Sequence, residues 1–167
     1  MMSATWKGAY LVQAKADYQV LELLLKEEIA ACHWLHYLQM CTEKLGKAVA
    51  LAGGQPFSQI RFSHKSFVQF LRTVPRNHAI QKHLDVTSKI LRASVNGVLP
   101  VAHAIERLAP ALAKDGPNPE YPWETSGGTV VAPTEHAFSV ATDIRKPQGR
   151  KLLTLVQVAM DRFDQFF

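Results

Sequence analysis

Apolar residues recur every three or four positions through most of this chain, and that spacing constrains its fold more than any other feature. Tyr10, Leu11, Ala14, Tyr18, Leu21, Leu24 and Leu25 line one helical face and predict a helix to about Lys26. Trp34, Leu38, Cys41, Leu45, Val49 and Ala52 form a second stripe, which Gly53-Gly54 closes. So short a connection predicts an antiparallel hairpin. Glu43, four residues before Lys47, predicts an exposed ion pair on the second helix.

Beyond the hairpin, Gln55 to Phe62 reads as a loop containing Pro56, and Ser63 as the N-cap of a short helix carrying Phe67, Phe70, Leu71 and Val74. Pro75 ends that helix. A longer one is predicted from Arg76 or Asn77, with Ile80, Leu84, Thr87, Leu91, Val95 and Val98 on one face, broken or kinked at Asn96-Gly97 and Pro100 before Val101 to Ala113. Lys114 to Gln148 is rich in proline and glycine yet holds Tyr121, Trp123, Val130, Val131 and Phe138, which predicts an ordered loop without helix. Helical spacing returns from Arg150 to Phe167. The fold class expected is therefore all-α: one domain over residues 1–167, an antiparallel up-and-down bundle of about five helices with a long ordered Pro/Gly-rich loop before the last.

With 19 Lys and Arg against 14 Asp and Glu, the chain carries a formal charge of +5, a modest bias towards phosphates and acidic surfaces. Cys32 and Cys41 lie nine residues apart on one predicted helix, about 13.5 Å along its axis, and cannot bridge each other. Without a CxxC pair or a basic-then-apolar start between Met1 and Gly8, a reducing cytoplasm is the expected compartment; the short, charge-interrupted apolar runs predict no membrane partner.

Arg76, Asn77 and His83 have the most mechanistic content. Guanidinium stabilises a phosphorane oxyanion and imidazole shuttles a proton near neutral pH, which together suit metal-independent RNA cleavage by the 2′-hydroxyl. Arg76 and His83 share a face only where the helix is already formed at Arg76; the plainer reading is two solvated side chains. Arg72 and His78 form a second arrangement with Pro75 between them. His33 and His36 lack the HExxH pattern or a Cys partner, so they read as lining an interface or polar groove beside Trp34 and Tyr37 rather than as metal ligands. His64 reads as orienting its loop. In Asn118-Pro119-Glu120-Tyr121-Pro122-Trp123, prolines stiffen the loop and Tyr121 and Trp123 are expected to plug into the core, with ligand stacking as the alternative. No phosphate-cradling glycine loop, Ser-His-Asp order or paired carboxylates appear, so no cofactor is expected.

Three segments resemble the HEPN superfamily of helical domains. Cys41-Thr42-Glu43-Lys44-Leu45-Gly46-Lys47-Ala48 is similar to its Glu-Lys…Lys-Ala helix, and Phe62-Ser63-His64-Lys65-Ser66-Phe67 to its His-led third helix. Glu120-Tyr121-Pro122, continuing through Val131 to Phe138 and the closing helix, is similar to its Tyr-Pro loop and C-terminal segment. The resemblance covers about Asp17 to Phe166; where the nucleotidyltransferase-associated branch commonly has Arg before Tyr-Pro, this chain has Glu120.

The resemblance implies a helical bundle that forms a homodimer and binds RNA or a nucleotide, as part of a toxin or defence system. In active ribonucleases of that superfamily an Arg-x4-6-His motif is catalytic, a spacing that Arg76 and His83 meet. The roles implied are transition-state phosphate stabilisation by Arg76, general acid or base by His83, and substrate orientation by Asn77. The alternative is a non-catalytic interaction module binding a nucleotidyltransferase or an antitoxin.

Overall fold

The computed structural model describes residues 5–167, so the part of the N-terminal reading that falls on residues 1–4 lies outside them. The architecture is predominantly helical, as the periodicity predicts. Helix α1 (Trp6–Leu24) and α2 (Ala31–Ala52) form the expected hairpin. Their antiparallel register is visible in two cross-links: Lys44 Nζ donates to Asp17 Oδ2 at 2.6 Å, and one turn further along α2 Lys47 Nζ lies 5.7 Å from the centre of the Tyr10 ring.

Helix α2 is the hub of the core. Its buried Trp34, Leu35, Leu38, Cys41, Leu45 and Ala48 face different neighbours around the helix, which accounts for burial well beyond a single stripe. After the single turn α3 (Phe57–Ile60), helix α4 (Ser66–Thr73) crosses α2 so closely that a Cβ on Gly46 would lie 2.5 Å from the Ser66 carbonyl. Glu106, at the end of α6 (Ser88–Glu106), accepts from Val68 N at 3.0 Å and so satisfies one of the first-turn donors of α4.

Between them, the 3-10 turn Val74–Arg76 leads into α5 (His78–Leu84), and here the segmentation departs from expectation. The single helix predicted from Arg76 to Val98 is interrupted, because Asp85 takes a left-handed conformation at φ 50° and Thr87 caps a new helix through Ile90 N. Conversely, α6 runs on without a break through Asn96-Gly97 and Pro100, where a break or kink is predicted. Pro100 is exposed on α6, and Asn96, whose carbonyl it leaves without a helical partner, is exposed too.

The segment 114–148 also differs from an unbroken loop. The turn α7 (Pro110–Ala113) precedes a small antiparallel pair, β1 (Trp123–Glu124) with β2 (Val130–Val131), in which Trp123 faces Val131 and Glu124 faces Val130. Gly128, at φ 80°, supplies the left-handed residue of the connecting turn. After a 3-10 turn at Pro133–Glu135 comes α8 (Ser139–Arg145), then α9 (Pro147–Asp161) and the final turn α10 (Phe163–Phe166). Trp123 is buried as expected, whereas Tyr121 is 59% exposed and does not enter the core. The described residues thus hold four helices of fifteen or more residues (α1, α2, α6 and α9) and six shorter ones, in place of about five. Among the described residues no helix is long and apolar enough to cross a membrane.

Candidate functional site

The turn that carries Arg76 is fixed from three sides. Pro75 is buried, and its carbonyl accepts from Gln81 Nε2 at 2.9 Å and from Ser88 Oγ at 2.8 Å. Asn77 Oδ1 accepts from Ile80 N at 3.0 Å, capping α5, while its Nδ2 donates to the Phe166 carbonyl at 2.8 Å. Its side chain is therefore committed at both ends to holding α5 and α10 in place.

Arg76 projects from this turn beside two other arginines. Arg72 comes from α4 and Arg92 from α6, and with Pro75, Val95, Asn96 and Leu99 the three line one recess of about 170 Å³. All three are exposed, and none has an ion-pair partner among the described residues. Arg76 also borders a larger cleft of about 490 Å³, walled by the C-terminal half of α2 and by Phe70, Phe166 and Phe167. Neither recess has an acidic side chain in its lining. Three guanidinium groups gathered without a counter-charge repel one another, and an anion in the recess relieves that repulsion.

His83 is exposed on α5 with its ring edge-on to Phe166, centroids 5.5 Å apart, and lines neither recess that Arg76 borders. The condition for one shared helical face is not met: Asn77, at φ −83° and ψ 106°, is extended, and the helix begins only at His78. In the second arrangement Arg72 reaches the arginine recess, and His78, the first residue of α5, does not line it. Arg92 escaped sequence reading altogether. It lies sixteen residues from Arg76 across a helix boundary, a separation that follows no periodicity; the four-residue spacing of Arg72 and Arg76 was the one signal available.

A second polar cluster sits on α2. The Glu43 and Lys47 pair, predicted to be exposed, is withdrawn from solvent: Lys47 is buried and Glu43 partly buried, with side chains 6% and 13% exposed, Nζ donates to Oε1 at 2.7 Å, and Lys47 also donates to the Arg61 carbonyl at 3.2 Å. The correction follows from the loop 61–65, which folds over this face of α2 and brings His64 Nδ1 to 2.9 Å from Glu43 Oε2. Gln39 Nε2 donates to that same oxygen at 2.8 Å. Burial pushes the Glu43 carboxyl up, but the hydrogen bonds and charges of Lys47 and His64 outweigh it and hold the group below its ordinary range. No group of three or more His, Cys, Asp or Glu side chains among the described residues is placed to hold a metal ion.

Comparison with protein-family models, with curated proteins and with solved structures finds no match to this chain.

Proposed function

We propose that this chain is an RNA- or nucleotide-binding helical domain, of the kind the HEPN resemblance implies, with Arg72, Arg76 and Arg92 holding the phosphate. The observation that carries this reading is the convergence of three arginines, free of ion-pair partners among the described residues, from three separate elements on one recess. Guanidinium keeps its charge at any physiological pH and presents paired N–H donors that match phosphate oxygens. Val95 and Leu99 give the recess an apolar floor that lowers the local dielectric beneath those charges.

The geometry favours binding over cleavage. With Asn77 engaged as a cap and His83 outside both recesses, the endoribonuclease roles of Asn77 and His83 have less support than the phosphate contact of Arg76. In the same reading the domain pairs with a second copy, and a nucleotidyltransferase or antitoxin partner is the alternative; both rest on the resemblance, and sedimentation equilibrium and co-purification read them out.

The test is fluorescence anisotropy with a labelled single-stranded RNA, with inorganic phosphate and a mononucleotide as competitors. Replacing all three arginines by Gln is expected to abolish binding, and competition separates a polynucleotide site from a mononucleotide one. Equal affinity of wild type and triple variant overturns the proposal. Incubating the same RNA with wild type, Arg76→Ala and His83→Ala in EDTA reads cleavage separately: strand cleavage by wild type that is lost in both variants restores the ribonuclease reading.

A further inference from the structure

Two segments that sequence reading treated separately meet at the opposite end of α2 from the arginines. His33, His36 and Tyr37, on the first turns of α2, and Pro119, Glu120 and Tyr121 of the following loop enclose an open pocket of about 370 Å³. Tyr37 lies nine residues before Gly46, where the arginine-bordered cleft begins, so at least about 13 Å of helix separates the two sites.

Three features mark this pocket as a binding site. The loop is held rigid: Asn118, itself buried, accepts at Oδ1 from both Glu120 N (3.0 Å) and Tyr121 N (2.8 Å), and prolines flank the Glu120-Tyr121 pair. That rigid loop nevertheless presents the Tyr121 ring to solvent instead of to the core, at 59% exposure. Finally, His36 Nδ1 is a buried atom with no hydrogen-bond partner; Glu120 Oε1 lies 3.2 Å away, but the two are not aligned for a hydrogen bond. The His36 side chain is nevertheless 30% exposed, so an imidazole and a carboxylate stand side by side in the wall of the pocket.

We propose that this pocket binds a guanine base. The two adjacent N–H donors of guanine, N1 and the 2-amino group, match the two oxygens of the Glu120 carboxylate. Guanine O6 and N7 are acceptors for an accessible imidazole N–H of the lining histidines, and the rings of Tyr37 and Tyr121 in the same lining can stack on a base. Adenine fits poorly, since its N1 lone pair would face the carboxylate. This site stands apart from the arginine recess and does not depend on it.

The experiment is titration of the folded protein with guanosine, followed through the imidazole proton–carbon resonances of His33 and His36. The nucleoside lacks phosphate, so failure here leaves the arginine reading untouched. Guanosine is expected to move both resonances saturably and adenosine to leave them in place. Glu120→Gln and Tyr121→Ala, both at solvent-accessible positions outside the core, are each expected to weaken binding by about tenfold while the remaining spectrum keeps its dispersion. Unmoved histidine resonances, an equal response to adenosine, or unchanged affinity in both variants overturns the proposal.

Discussion

His64 Nδ1 lies 2.9 Å from Glu43 Oε2, joining a loop residue to a partly buried carboxylate whose other oxygen holds the nearly inaccessible ammonium of Lys47. Removing the charge of Glu43 leaves the buried Lys47 ammonium with neutral acceptors and no counter-charge. Glu43→Gln is expected to lower unfolding free energy by about 3 kcal/mol in urea titrations, in the range seen for broken buried pairs; a loss near zero would mean water reaches Lys47.

The same network sets a pH dependence. The Glu43 pKa is held below its ordinary value of 4.5, so its contribution is fully present above that value and is lost as pH falls through the folded-state pKa. Urea midpoints of the wild type should therefore drop on acidification below about pH 4.5, and Glu43→Gln should flatten that part of the profile. Glu106 runs the other way: burial raises its pKa, so ionising it as pH rises costs stability. Glu106→Gln keeps an acceptor for Val68 N without the buried charge and is expected to be neutral or stabilising at pH 7, whereas Glu106→Ala loses about 1 kcal/mol or more with the first-turn acceptor.

Asn77→Ala removes both the cap on Ile80 N and the tie to the Phe166 carbonyl, and should cost about 1–2 kcal/mol in urea denaturation. Asn77→Asp keeps the capping oxygen but turns the donor to the Phe166 carbonyl into an acceptor, so it should recover the cap and not the tie. RNA affinity that falls in Asn77→Ser, which can cap α5 without adding charge, by more than its loss of stability accounts for would return Asn77 to a substrate-facing role.

At Gly46, helix propensity and packing oppose each other. Alanine gains about 1 kcal/mol as a helix former, but its Cβ would meet the Ser66 backbone at 2.5 Å, and overpacking of that kind costs about 1–3 kcal/mol or more. Since the obstacle is backbone and cannot rotate away, Gly46→Ala is expected to lower the melting temperature.

For the arginine recess, each Arg→Gln change that removes a phosphate contact should reduce the slope of log binding constant against log salt by about 0.7 for single-stranded RNA. Unaltered slopes in Arg72→Gln, Arg76→Gln and Arg92→Gln would place the phosphate elsewhere.

The sequence by itself determined the helical class and the α1–α2 hairpin, because apolar periodicity and short connections are local properties that survive without tertiary context, and it marked Trp123 for burial. It also marked Arg76 and its capping neighbour Asn77, though not the work that Asn77 does. Helix ends in the middle of the chain were less legible: Asn96-Gly97 and Pro100 carry stronger breaking signals than Asp85 to Thr87, yet α6 runs through the former because its packing outweighs their cost. Only the tertiary structure decided which charges meet. Arg92 joins Arg72 and Arg76 across α4 and α6, the 61–65 loop withdraws a predicted surface ion pair from solvent, and Glu120 comes to His36 from 84 residues away. Such pairings depend on how whole elements dock, and no spacing rule within a single helix encodes them.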